Sequence, residues 1–374
     1  MPTEIKTALL HYWLTGMRGG ENVLQEFSEL FPRAEIFTHA FLPENLDGNF
    51  RFHPVHESFI ARLPGGRKHC QKYLPLMPYA IRRLPVQDYD FILSSESGPI
   101  KGVNKRADAL HVCYCHTPMR YCYDMYDEYF QNASLPGKLA MKIFTPALKK
   151  YDLQSAEKVD YFIANSLFVA ERIQRIYGRT AEVIHPPADV RFYAAGCRTE
   201  APEYYLYVGQ LTAYKHPELA IQACERMQRK LLIVGDGDMA EELRRNAPSG
   251  VSFTGRVSRE ELRQIYCNAK ALIFPGIEDF GIVPLEAQSA GLPVIARGAG
   301  GALETVQSNR TGCFFNAPTV ESLCGAIEEF ESLTFDEQTI RQHAAGFDKC
   351  VFRQRFVNFL ARLPQFPAAL LANA

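Results

Sequence analysis

The chain has 374 residues, a formal net charge of −1 and an apolar content of 47%. At roughly 150 residues per domain this length predicts two domains, each able to bury its own core. The near-neutral balance excludes a generic nucleic-acid binder with a broad basic surplus, and the apolar content excludes a disordered chain.

Short apolar runs alternate with helical patterns along the chain. In the first half strands are expected at 6–13, 34–38, 89–94, 109–115, 160–164 and 181–184, with helices at 21–31, 137–155 and 166–177. In the second half the pattern restarts. Strands are expected at 204–208, 230–234, 251–254, 271–274, 293–296 and 312–315, and helices at 217–229, 239–246, 259–267, 284–290 and 320–333. Buried strands each followed by a helix imply parallel sheets with right-handed crossovers. Between the halves, Pro186-Pro187 makes a stiff break, and 194–203 reads as a linker. The expected organisation is an α/β domain over 1–190, a second over 191–355, and a terminal segment 356–374. The last helix carries Phe352, Phe356, Phe359 and Leu360 at helical spacing.

The ten cysteines are irregularly spaced, mostly inside apolar runs, and read as reduced thiols. Cys113-Tyr114-Cys115-His116 lacks the paired Cys-x2–4-Cys and His-x3–5-His spacing of a zinc site, so no metal is expected. The N-terminus enters a strand directly with no signal-peptide pattern, and no stretch reaches the roughly 18–20 apolar residues of a membrane span. A cytoplasmic protein is expected.

The strongest motif is Phe274-Pro-Gly-Ile-Glu278-Asp-Phe280-Gly281-Ile282-Val283-Pro284-Leu-Glu286. It reads as a strand end, a loop bearing Glu278, and a helix opening near Pro284. The amides around Gly281, Ile282 and Val283 would suit a phosphate, and Glu278 and Glu286 would accept hydroxyl hydrogen bonds. As alternatives, Glu278 is a solvated loop acid and Glu286 a favourable charge in a first helical turn. This Glu-x7-Glu spacing resembles the signature of the retaining glycosyltransferase family called "glycosyl transferases group 1". The resemblance spans nearly the whole chain. It implies the GT-B fold, in which two Rossmann-like, doubly wound domains face each other across a cleft and a C-terminal helix returns to the N-terminal domain.

Other segments align with that resemblance. Gly209-Gln210-Leu-Thr-Ala-Tyr-Lys215 is similar to the family's Gly-Arg-Leu-x4-Lys loop, which implies that Lys215 neutralises the donor pyrophosphate. Gln210 stands where the family has Arg; Arg256 or Arg18 could replace its charge. Gly235-Asp-Gly237 and Gly255-Arg256-Val257 resemble loops that hold the nucleoside, although Gly-x-Gly also suits a simple tight turn. Gly16-Met-Arg-Gly19-Gly20 resembles the family's first glycine-rich loop and lacks the dinucleotide fingerprint. His116-Thr-Pro-Met-Arg120-Tyr121-Cys-Tyr-Asp124 resembles the His-Thr-Pro-x-Arg-Tyr segment of bacterial mannosyltransferase-like members, in which the His lies beside the transferred sugar. The resemblance thus implies His116, Lys215 and Glu278 as catalytic residues and Arg120, Tyr121 and Asp124 as acceptor contacts, with no metal required.

Residues 58–87 hold six basic side chains, among them Arg67, Lys68, Lys72, Arg82 and Arg83, and no acid. Large apolar residues between 73 and 84 interleave with them. This suits an anionic inner-membrane surface, or a solvated face over the acceptor site. The resulting expectation is a retaining hexosyltransferase, peripheral on the cytoplasmic face of the inner membrane. It would move mannose from GDP-mannose to a lipid-linked saccharide in bacterial surface polysaccharide synthesis, with no nucleic-acid partner. A UDP-sugar donor, a nucleotide-sugar epimerase and a non-catalytic nucleotide-sugar sensor are the competing readings.

Overall fold

The computed structural model describes residues 5–366; positions 1–4 and the end of the returning segment, 367–374, lie outside them. The chain forms two compact units, one up to Pro186 and again from Arg353, the other Pro187–Phe352.

Among the described residues the first unit is built on seven strands: β1 (Thr7–His11), β2 (Glu35–Thr38), β3 (Val55–Glu57), β4 (Phe91–Glu96), β5 (Leu110–Cys115), β6 (Tyr161–Ala164) and β7 (Ala181–Val183). All pairings are parallel, in the order β3-β2-β1-β4-β5-β6-β7. Every residue of β1, β4 and β5 is buried, which explains why these strands read as largely apolar runs without alternation. β3 was not expected from sequence: it is short, half-buried and without an apolar pattern, and forms because β2 offers a free edge in register, Ile36 beside Val55 and Thr38 beside Glu57.

Helices Gly19–Leu30, Leu135–Glu157 and Leu167–Tyr177 follow β1, β5 and β6. Ser166 caps the last of these by accepting from the Val169 amide at 3.1 Å, and Gly178, with φ +64°, ends it. Cys113 and Cys115 pack in an apolar cluster with Val159, Phe162 and Ile173. Eight of the ten cysteines are buried, and Cys197 and Cys350 are exposed. The helix Lys349–Ala361 brings Phe356 onto the ring of Phe27, 4.7 Å between centroids, and Arg353 Nε to within 2.5 Å of the Glu26 carboxylate.

The second unit holds β8 (Tyr204–Val208), β9 (Leu231–Val234), β10 (Val251–Gly255), β11 (Ala269–Phe274), β12 (Val294–Arg297) and β13 (Gly312–Phe315). They too are all parallel, in the order β10-β9-β8-β11-β12-β13. Alternation is clear on β8, where Tyr205 and Tyr207 enter one core cluster and Leu206 the opposite one.

Two expectations change here. The segment 194–203 is fastened to the second unit rather than serving as a linker: the Thr199 and Glu203 amides donate to Cys267 and Asn268 carbonyls, and Arg341 donates to those of Ala194 and Gly196. The helix after β11 begins at Ile282, with Gly281 at its N-cap, so Pro284 is its third residue and not its first.

The Phe356 side chain of the returning helix is fully buried. Phe356→Ala is expected to cost about 3–5 kcal/mol of stability, read as a lowered urea midpoint with an unchanged slope.

Candidate active site

In each unit the strand order reverses at the first strand, between β1 and β4 and between β8 and β11. Connections leave in opposite directions at such a point and open a crevice at the carboxyl ends of the strands. Several of the sequence motifs lie at these two places.

In the second unit, the turn after β8 presents Lys215 and the loop after β11 presents Glu278. Their side chains meet, Nζ to Oε1 2.7 Å, with both largely shielded from solvent. Backbone crowding holds them there. A Cβ on Gly276 would stand 2.9 Å from Lys215 Cα, and one on Gly235 would stand 1.9 Å from the Gly209 carbonyl oxygen. The Gly235 and Gly237 positions therefore answer a packing demand, since Gly237 also abuts the Leu211 backbone. The Glu278 loop is buttressed from behind by the turn after β12: the Gly301 amide donates to the Glu278 carbonyl at 2.9 Å, and a Cβ on Gly301 would meet Phe280 Cα at 2.2 Å. Sequence reading gave Gly276 and Gly298–Gly301 no role, although the glycine density was the available signal.

Gly281 has φ +89°, a left-handed conformation that strains any side chain. It aims the first amides of the helix, Ile282 and Val283, out of the helix mouth, where no earlier carbonyl of that helix accepts them. Phe280 is buried against Ala188, Val190 and Leu285. Glu286 is half-buried and accepts from the Tyr266 hydroxyl at 3.2 Å. Burial pushes its carboxyl up to about 7, against the opposing pull of the Tyr266 hydroxyl and the Arg259 charge. Arg256 is exposed and Val257 half-buried at the end of β10, two strands from β8 and so about 10 Å away across the sheet. Gln210 is exposed.

In the first unit, His116 follows β5, and its Nε2 lies 2.9 Å from Ser95 Oγ on β4. Gly19 and Gly20 open the helix after β1. A Cβ on Gly20 would come within 3.4 Å of His116 Nε2 and 3.3 Å of the Tyr12 hydroxyl, so glycine lets the helix start sit against the imidazole. Burial, with the nearby His11, lowers the His116 pKa to about 3, which keeps the ring neutral. His11 itself is buried 3.6 Å from the Glu21 carboxylate.

The predicted acceptor residues are engaged within the unit. Asp124 pairs with Arg172 at 2.5 Å and Arg175 at 2.8 Å, Tyr121 donates to Met119 Sδ, and Arg120 reaches Met125 Sδ. Arg172 also donates to Thr117, so one guanidinium ties both ends of the His116–Asp124 segment. Beneath it, Lys101 is fully buried between Glu96, at 2.9 Å, and Asp152, which also accepts from the Tyr123 and Tyr177 hydroxyls. Burial works against the Lys101 charge, but the two carboxylates outweigh it and hold the ammonium well above its ordinary value. In the basic stretch, Arg67 pairs with Glu57, Arg83 lies over Tyr79 and Arg82 over Tyr151, while Lys68 and Lys72 are exposed.

The profile of "Glycosyl transferases group 1" matches residues 197–345, and that of "Glycosyltransferase Family 4" matches residues 17–192, so that together they account for most of both units. The chain belongs to the group 1 glycosyltransferases. A GDP-mannose-dependent alpha-(1-6)-phosphatidylinositol monomannoside mannosyltransferase of Mycobacterium tuberculosis is 32% identical over 42% of this chain and 46% of its own. A D-inositol 3-phosphate glycosyltransferase of Mycobacteroides abscessus is 28% identical over 54% of this chain and 52% of its own. The chain thus spans about half the length of these curated relatives. Among solved structures, Anabaena HepE in complex with UDP and glucose superposes with a TM-score of 0.69 at 19% identity, over 96% of this chain and 100% of that one. The lipopolysaccharide outer core galactosyltransferase WaaB gives 0.64 at 17% identity, over the same shares. These neighbours establish the GT-B fold for the two parallel-sheet units.

The raised Glu286 pKa has a consequence for stability. Its native value near 7 lies above the ordinary 4.5, so between those values the folded chain holds the extra proton and stability falls as pH rises. Glu286→Gln removes that loss. Its Tm relative to the unsubstituted protein is expected to climb between about pH 5 and pH 8 in thermal melts.

Proposed function

We propose that this group 1 glycosyltransferase is a retaining enzyme that transfers mannose from GDP-mannose to a lipid-linked saccharide acceptor at an anionic membrane surface, in bacterial surface polysaccharide synthesis. The observation that carries the reading is the Lys215–Glu278 pair, 2.7 Å apart beside the mouth of the helix Ile282–Ser289. One site thereby offers a cation and helix amides for a diphosphate and a carboxylate for hydroxyls.

In the proposed reaction the bond from the anomeric carbon to the diphosphate oxygen breaks, and a bond to the acceptor oxygen forms on the same face of the sugar. The acceptor proton passes to the departing phosphate. Lys215 and the amides of Ile282 and Val283 stabilise the charge that grows on that phosphate. Glu278 positions the sugar through its hydroxyls and Glu286 holds the ribose. His116, neutral through burial, orients the sugar by hydrogen bonding. The positive charge comes from the chain itself, so the scheme requires no metal.

The mannose assignment draws on the His116-Thr-Pro-Met-Arg120 segment and on the name of the mycobacterial mannosyltransferase relative. A UDP-sugar donor is the second reading, favoured by the UDP bound to HepE, a structural neighbour. Calorimetric titration with GDP, UDP, ADP and dTDP decides between them: tightest binding of GDP is expected, and a preference for UDP overturns the mannose assignment. Lys215→Ala and Glu278→Ala are each expected to lower turnover about 100-fold or more, as lost charge stabilisation does. Near-normal turnover in both refutes the assigned roles. Activity is expected to be unchanged in excess chelator.

A further inference from the structure

The helix Leu135–Glu157 exposes apolar side chains over its first turns. Leu135 is 83% exposed, Leu139 61% and Ile143 59%. A spacing of four residues sets them in one row along a helix face. Residues 135–150 also contain Lys138, Lys142, Lys149 and Lys150 and no acid. Thr145, Leu148, Tyr151 and Asp152, on the other side of the helix, are buried, and Asp152 is locked into the Lys101 network. One face thus anchors the helix to its unit and the other holds an apolar row bordered by lysines. The neighbouring helix Tyr126–Asn132 contributes Phe130, whose ring lies within 5.8 Å of both Lys138 and Lys142 ammonium groups.

The basic stretch 58–87 has a different character. Its Met77, Ile81 and Leu84 are in the core, and the large apolar side chains it leaves exposed, Leu76 at 44% and Tyr79 at 52%, are less exposed than the row on the helix.

We infer that the row Leu135–Leu139–Ile143 is the element that inserts into an anionic lipid surface, with Lys138, Lys142, Lys149 and Lys150 at the level of the headgroups. The combination of an apolar face with a lysine border and no acid is that of an interfacial helix. Charge argues against a second copy as the occupant: two such rows packed together would bring eight lysines into contact with no carboxylate from either segment. The inference rests on the membrane reading above and assigns it to specific residues.

The test is co-sedimentation of the full chain with vesicles of phosphatidylglycerol mixed with phosphatidylcholine, against phosphatidylcholine alone. The unsubstituted protein is expected to bind the mixed vesicles and not the neutral ones. The triple variant Leu135→Gln, Leu139→Gln, Ile143→Gln keeps every charge and is expected to lose at least tenfold in vesicle affinity, with unaltered thermal melting and unaltered GDP titration. Lys138→Gln with Lys142→Gln is expected to weaken binding severalfold and to flatten its salt dependence, and Arg82→Gln with Arg83→Gln to weaken it less. Equal binding by the unsubstituted protein and the triple glutamine variant overturns this inference and leaves the membrane reading standing. Failure of the unsubstituted protein to bind the mixed vesicles overturns both. Concentration-dependent dimerisation abolished by the triple variant identifies the row as a self-association surface and also overturns it.

Discussion

A parallel sheet joined by right-handed crossovers has one position where successive connections leave for opposite faces, and the loops there are free of overlying helices. Both units place proposed site residues at this position. In the second, the turn after β8 and the loop after β11 meet as neighbours although more than fifty residues of chain separate them, and the Lys215–Glu278 ion pair is the result. In the first, β1, β4 and β5 deliver Gly20, Ser95 and His116 to one spot. The winding leaves these strand ends open, and the glycines let the loops approach as closely as the proposed chemistry would need.

The His116–Asp124 segment has little regular structure of its own, and buried charge holds it. Arg172 grips Thr117 and Asp124, and Tyr123 hangs on Asp152, which is itself neutralised by Lys101. An ammonium shared by two carboxylates and capped by tyrosines costs desolvation, and removal of Lys101 would leave both carboxylates buried without a counter-charge. Such a network favours one arrangement of the loop over many, which is what a hydrogen-bonding histidine requires.

Much of the fold was legible because apolar runs and helical patterns alternate so regularly. The strands of the second half were placed to within two residues, and the Glu-x7-Glu spacing marked the turn that proves to carry Gly281 in its left-handed conformation. The start of the helix expected at 166–177 was legible because its Ser166 cap is a local interaction. The supporting residues were not. Lys101, within Ile-Lys-Gly, and Arg172, within a helix, have no local pattern that marks a buried charge; only tertiary packing reveals their partners. The expected membrane patch shows the same limit. Interleaved basic and apolar residues do not reveal which side of the chain the core takes, and near Met77 and Ile81 the core took the apolar side. Near Leu139 it left that side uncovered.

The cysteines, which serve no chemistry in this scheme, furnish a built-in readout of how each unit comes apart. Four buried thiols lie in the first unit, at Cys70, Cys113, Cys115 and Cys122, and four in the second, at Cys224, Cys267, Cys313 and Cys324. A thiol reagent reaches such groups only through opening of the surrounding structure, so its rate of modification measures the local free energy of that opening. Mass mapping of the labelled positions would therefore rank the opening of the strands, helices and loops that carry these thiols in each unit, without a single engineered probe.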